Sequence, residues 1–265
     1  MTILVLVIIA LAAIWVAWRL RSRRELLPCP AEFAWLVEME NPLARATNSD
    51  HVVRQLALPR GARVMDVGCG PGRVTIPLAR AVGPDGEVLA LDVQAAMLSR
   101  VADRAAKEGL ANVRPIHSDV RSASIASNSL DAAVMVMALG EVPEGGEAFS
   151  GEVGTGSPQK MRLPEAFSGE VGTGSPQKMR LPEAFSGEVG AGSPLKMRLL
   201  NKSVFPFIFA ALKPGGRLLV GESIFDPHFV SRTKVRAQAA AAGFAECAYA
   251  GNIFGYSLVF EKAAI

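Results

Sequence analysis

Val64–Arg80 reads VMDVGCGPGRVTIPLAR: an apolar strand, a turn with three glycines, then a helix. Glycines tolerate positive φ and leave no side chain in the way, so a ligand can come close to the backbone of such a turn. They stand at 68, 70 and 72. A dinucleotide fingerprint would place the third one residue later, where this chain has Arg73. Asp66, two residues before the first glycine, decides between ligands. A carboxylate there opposes a pyrophosphate on the helix N-terminus, which wants positive potential. It attracts an ammonium group instead. A turn-capping role for Asp66 is compatible with that and stands beside it.

Outward from this turn, strands and helices alternate. The helix after the turn runs to about Val82 and is broken by GPDG; EVLALDV is a second buried strand. In AAMLSRVADRAAKEG the apolar Met97, Leu98, Val101 and Ala105 recur at helical spacing, and Gly109 ends the helix. VRPIHSDV, LDAAVMVMAL and GGRLLVGE supply three more strands, the last after an LKPGG turn. VSRTKVRAQAAAAGF is a helix ended by Gly243, and AECAYAG with GYSLVFEK forms a closing hairpin. Near-continuous apolar strands separated by helices predict a Rossmann-like α/β domain. Its sheet is mostly parallel and seven-stranded, with helices on both faces. Ligands of such sheets sit beyond the carboxyl ends of the strands, at the switch in strand order. Asp92 ends the second strand, twenty residues after Gly72, the distance at which an acid reaches ribose hydroxyls. Asp119 ends the third, where a carboxylate can accept an exocyclic amine. Three acids at three successive strand ends describe a ligand with a cationic amino-acid part, a ribose and an adenine.

In this order, VMDVGCGPG, VLALDV, HSDV, LDAAVMVMALGEVP and LKPGGRLLVGE resemble the class I S-adenosylmethionine-dependent methyltransferases, in the branch of the quinone-biosynthesis enzymes. The resemblance covers Ala62 to Phe260 without the insertion at 147–200. It implies S-adenosylmethionine as cofactor and no metal. It places Asp66, Gly68, Cys69, Gly70 and Gly72 along the methionine part, Asp92 and Val93 at the ribose, and Asp119 and Val120 at the adenine. Val136 and Met137 would lie under the sulfonium. Such relatives often carry a histidine pair where this chain has Gly140 and Glu141, so no acid–base residue is inherited. Glu141 is the one candidate nearby for taking a proton, with packing or loop capping as the other reading. His51, His117 and His228 have no partners at catalytic spacing. Cys69 lies at a helix N-terminus, which can lower a thiol pKa, but its small size beside a ligand is reason enough for it.

Two segments lie outside the strand–helix pattern. Ile3–Trp18 is sixteen uninterrupted apolar residues, followed at once by RLRSRR. With its neighbours it approaches the roughly 20 residues that span a bilayer. Trp15 and Trp18 suit an interface belt, and the arginines hold the rest of the chain in the cytoplasm. A signal peptide would carry its charges before the apolar run, and a core helix would not abut four arginines. Residues 1–20 are therefore expected to be a transmembrane anchor, and 21–60 a juxtamembrane linker with helices over the pocket. In that linker AEFAWLVEMENPLAR is a lid or plain packing. Residues 61–146 and 201–262 make the methyltransferase-like domain. Between them, Glu147–Pro164 (EAFSGEVGTGSPQKMRLP) recurs letter for letter at Glu165–Pro182, and again at Glu183–Leu200 with three changes. Copies this Gly/Ser/Pro-rich and this invariant read as a tandem duplication in a surface loop. Disorder is expected there. After the insertion, Pro206 inside NKSVFPFIFAALKPGG disfavours a regular helix at that point.

Charge and cysteines narrow the partners. The chain carries +3 at pH 7; without Arg19, Arg21, Arg23 and Arg24 the remainder is near −1, so no basic face for nucleic acid remains. Three cysteines without paired spacing are neither a disulfide framework nor a zinc site. The expected activity is methyl transfer to a small lipophilic acceptor at the cytoplasmic face of a membrane, in an unknown oligomeric state. Two other readings stay open. One is a non-catalytic anchored scaffold with a vestigial pocket. The other is an NAD(P)-dependent oxidoreductase, which would need a tyrosine–lysine pair although Tyr249 and Tyr256 are the only tyrosines.

Overall fold

The computed structural model describes residues 34–142 and 203–263, with Leu6, Ala13, Val16 and Ala17 before them. The apolar run as a whole, the Cys29 turn and the three copies lie outside the described residues. Among the described residues no helix is long and apolar enough to cross a membrane.

In chain order come α1 (Ala34–Glu38), a 3-10 turn (Arg45–Thr47), α2 (Ser49–Leu56), β1 (Arg63–Val67), α3 (Thr75–Val82), β2 (Glu87–Asp92), α4 (Ala95–Lys107), β3 (Val113–His117) and β4 (Leu130–Val136). A second 3-10 turn (Leu139–Glu141) comes next, then α5 (Phe205–Ala211), β5 (Leu212–Ser223), α6 (Arg232–Ala241), β6 (Phe244–Gly251) and β7 (Gly255–Lys262). The seven strands form one sheet in the order β3-β2-β1-β4-β5-β7-β6. All pairs among β1 to β5 are parallel; β7 is antiparallel to both its neighbours. The order therefore reverses between β1 and β4, which opens a crevice at their carboxyl ends.

Alternate residues of each central strand feed two apolar layers. Val64, Val88, Val134 and Leu219 pack under α2, α3 and α4. Met65, Leu89, Met135 and Leu218 pack under α5 and α6. Burial on both faces is why the strands read as unbroken apolar runs, each large side chain contributing about 1.5–3 kcal/mol. On the second face Phe244 meets Phe205, Phe209 and Phe260, with ring centroids 6.3, 5.0 and 6.3 Å apart.

Two local expectations need correction. Pro206 does not break a helix: α5 starts at Phe205, so the proline falls in its first turn, where its missing N–H has no intrahelical acceptor. LKPGG is not a turn before β5 but its first part. Leu212 pairs with Leu130, and a register shift around the left-handed Gly215 precedes the regular pairing that begins at Arg217.

Candidate cofactor site

At the carboxyl end of β1 the chain turns through Gly68, Gly70 and Gly72, with φ of 68°, 52° and 87°. The turn is clamped to the next strand: Gly68 N and Cys69 N both donate to Leu91 O, at 2.8 and 3.0 Å. The three glycines answer different demands. A Cβ on Gly68 would overlap the Cβ of Ala138, so bare backbone here lets the turn abut the end of β4. A Cβ on Gly72 would press on Val101 at 3.1 Å, so this glycine lets α4 approach. Around Gly70 only Val37 Cγ1, at 3.8 Å, lies within reach. Gly70 is the open position.

Asp66 lies in β1, Asp92 ends β2 and Asp119 follows β3 by two residues. Asp66 is buried, and its Oδ2 accepts from Thr75 Oγ1 at 2.7 Å. Burial pushes its carboxyl up to about 6, although Thr75 and Arg73 oppose the rise. It is thus a cap on the first residue of α3, and it is also a buried acid that a cation would hold ionised. Asp92 bridges two segments: Oδ2 accepts from Gly70 N at 2.9 Å and Oδ1 from Gln94 N at 2.8 Å. Burial raises its pKa, with those backbone donors pulling the other way. Asp119 is held bidentately by Arg121, whose Nε and Nη2 donate at 2.9 and 2.7 Å. Any exocyclic amine bound there shares Asp119 with that guanidinium.

The remaining expected positions divide between pocket wall and core. Val93 is half-buried, and its carbonyl accepts from His117 Nε2 at 2.9 Å. Val120 and Val136 are buried in opposite apolar layers. Cys69 is buried, and burial, then Asp66 and Asp92, push its thiol well above the ordinary range. The helix N-terminus does not make a thiolate of it. Glu141 is half-buried in the 3-10 turn after β4, its N–H donating to Ala138 O.

Three features were not foreseen. Arg73, standing where a dinucleotide fingerprint has glycine, is buried. Its Nη1 donates to Glu40 at 3.1 Å and to Thr47 O at 2.8 Å, tying the α1 segment to the turn. The segment is thereby held near the glycine turn, with Val37 Cγ1 3.8 Å from where a Cβ on Gly70 would stand. Met137, just past β4, has φ 56°, a left-handed backbone that costs a side-chain-bearing residue about 1–2 kcal/mol. Its N–H donates to Gly221 O at 2.8 Å, which fixes the strand end in that shape. Glu222, near the end of β5, is buried; Oε2 accepts from Val230 N at 3.2 Å, while Oε1 meets no donor among the described residues. Burial first, then the like charges of Asp226 and Glu141, hold its carboxyl well above the usual range. A glutamate closing the apolar LLVGE was the visible clue, since ionisable groups are seldom fully buried.

An open backbone at Gly70, a buried acid beside it and acids at the next two strand ends fit an aminoacyl nucleoside. With the strand order, they are the arrangement expected of a class I S-adenosylmethionine-dependent methyltransferase domain. Residues 64–152 match the family described as methyltransferase domain. The chain is 36% identical over 95 residues to a demethylmenaquinone methyltransferase of Geobacillus kaustophilus, covering 36% of this chain and 41% of that one. It thus spans about two fifths of that relative. Among solved structures, a SAM-dependent methyltransferase from Aquifex aeolicus superposes with TM-score 0.58 at 16% identity, over 89% of this chain and all of that one. The [4+2]-cyclase SpnF superposes with TM-score 0.53 at 17% identity, over 82% and 81%. These two likenesses speak for the fold alone.

Proposed function

We propose that this protein transfers a methyl group from S-adenosylmethionine to a small lipophilic acceptor, of quinone or phenol type, at the cytoplasmic face of a membrane. The observation that carries the cofactor half is buried Asp66 beside the open backbone of Gly70. Asp66 takes the ammonium, Gly70 gives the methionine part room, and Asp92 reaches the ribose while it holds the turn. Asp119 and Val120 edge the adenine. Bound there, the cofactor supplies a methyl group already activated on a sulfonium, so the protein's own work is alignment and exclusion of water. The α1 segment is held near the turn, and the left-handed Met137 shapes the wall on the acceptor side.

The acceptor must lose a proton as it gains the methyl group. Glu222, made more basic by burial and by the nearby charges of Asp226 and Glu141, is the carboxylate suited to take it. For the acceptor class the support is twofold: the name of the Geobacillus relative and the apolar run Ile3–Trp18 with its flanking arginines.

The test is titration with S-adenosylhomocysteine, which should fill one site. Asp92→Ala should weaken it more than tenfold, since hydrogen bonds to a charged group contribute roughly 1.5–3 kcal/mol. Binding of NADH in its place refutes the assignment. With methyl-labelled cofactor and cell fractions, label should enter the lipid extract; label only in protein or RNA refutes the acceptor class.

A further inference from the structure

The large apolar side chains that the domain leaves exposed are not scattered. Trp35, Leu36, Met39 and Leu43 lie on the N-terminal segment, and Ile224, Phe225 and Ile253 lie at the end of β5 and in the β6–β7 turn. Both groups sit on the carboxyl rim of the sheet. Among the described residues of the domain, Tyr249 is the one other such side chain, and it is occupied by Arg232 and Arg236 over its ring. Among the described residues, α2 to α6 and the opposite rim expose none.

The two groups form one surface. Asn252 Nδ2 donates to Leu43 O at 2.8 Å, joining the hairpin turn to the N-terminal segment. Phe225 stacks on Phe254 at 5.9 Å, and Ile224 N donates to Phe254 O. At the other end Val37 lies near Gly70. Trp35 is 58% exposed, Met39 61% and Ile253 80%. One nearby carboxylate, Glu40, is turned to Arg73 and to Ser49 N. An exposed apolar surface of this kind marks an interaction site.

The chain just upstream points to its occupant. The apolar run and its arginines end at Arg24, eleven residues before Trp35. Fully extended, eleven residues reach at most about 40 Å, so a bilayer holding that run also lies within reach of the rim. We propose that the carboxyl rim of the sheet docks on the lipid surface itself, placing the mouth of the acceptor side against the bilayer. This rests on the membrane reading under Proposed function and deepens it. The lipophilic acceptor then passes from lipid to Met137 and Glu222 without crossing water, and Trp35 takes the interfacial place that tryptophan favours.

The chain has three tryptophans, which allows a direct test. The full chain carrying Trp15→Phe and Trp18→Phe, leaving Trp35, is reconstituted in phosphatidylcholine–phosphatidylglycerol vesicles with brominated acyl chains. Docking predicts loss of at least half of the Trp35 emission. A companion chain with all three replaced by Phe and Asp85→Trp, on the opposite rim, should keep its emission. Equal quenching at the two positions, or none at Trp35, overturns the proposal. So does burial of Trp35 by self-association in detergent, which would make a second copy the occupant. Met39→Asp and Ile253→Asp, both at exposed positions, should lower methylation of a vesicle-borne quinol about tenfold and leave S-adenosylhomocysteine affinity within twofold. Absence of S-adenosylhomocysteine binding to the unaltered chain would instead count against the methyltransferase reading, and the quenching result stands apart from it.

Discussion

Gly68→Ala tests whether the contact between the glycine turn and the end of β4 shapes the cofactor site. Two costs arise at once. The residue sits at φ 68°, where a side chain costs about 1–2 kcal/mol. Its new Cβ would also overlap the Cβ of Ala138, and forced overpacking of this kind costs typically 1–3 kcal/mol. The sum, about 2–5 kcal/mol, corresponds to a melting point lower by roughly 4–20 °C for a domain of this size. The two parts can be separated. Ala138→Gly removes the obstructing carbon and leaves the backbone strain, so the double variant should recover the steric part and no more. A cycle of the four proteins, followed by thermal or urea unfolding, should give a coupling of about 1–3 kcal/mol favouring the double variant. S-adenosylhomocysteine affinity should track the same pattern, because the turn that moves is the one carrying Gly70. A single variant as stable as wild type, or a double variant no better than Gly68→Ala alone, refutes the contact.

Other perturbations separate the remaining roles. The Asp66 carboxyl titrates near 6 in the folded domain against 3.8 unfolded, so the folded state holds the extra proton between those values. Its destabilising effect is absent below pH 4, grows through that window and reaches roughly 3 kcal/mol above it. Asp66→Asn should lose that fall in unligated stability, and S-adenosylhomocysteine, whose ammonium favours the ionised acid, should bind more tightly from pH 5.5 to 7.5 in wild type only. A flat wild-type affinity profile by calorimetry would deny Asp66 the ammonium. Glu222→Gln replaces the buried carboxyl by a neutral group of the same shape that cannot take a proton. Stability and cofactor affinity should hold while turnover drops more than tenfold, and unchanged turnover would remove Glu222 from the chemistry. Deleting Glu147–Leu200 shortens the connection between Val142 and Ser203 from sixty residues to six, which by loop entropy favours folding by about 2 kcal/mol. Cofactor affinity within threefold of wild type and a higher melting point are expected; collapse of binding would make the copies structural.

Strand positions and helix limits were readable because each rests on local causes. Apolar runs mark the strands, GPDG and Gly109 end helices, and the hairpin of AECAYAG with GYSLVFEK comes from chain proximity. α3 ends at Val82 and β6 pairs with β7 as that reading expects. The miss at Pro206 was positional: the same proline breaks a helix from within and suits its first turn, and one residue of boundary decides which. At the site the sequence located Asp66, Asp92 and Asp119 at strand ends, but not what holds them. The partnership of Arg73 with Glu40 spans 33 residues, and that of Gly68 with Ala138 spans 70; neither leaves a local pattern. The left-handed backbone at Met137 is equally silent, for methionine has no preference for it. Tertiary structure imposes it, through the bond from Met137 N to Gly221 O. These unreadable features share a location. Arg73 holds the N-terminal segment, Gly68 admits the end of β4, and Met137 and Glu222 shape the wall beyond it. A sequence pattern can specify a cofactor cradle because the cradle is one turn of chain; the wall proposed for the acceptor draws on separate segments, and only their packing brings them together.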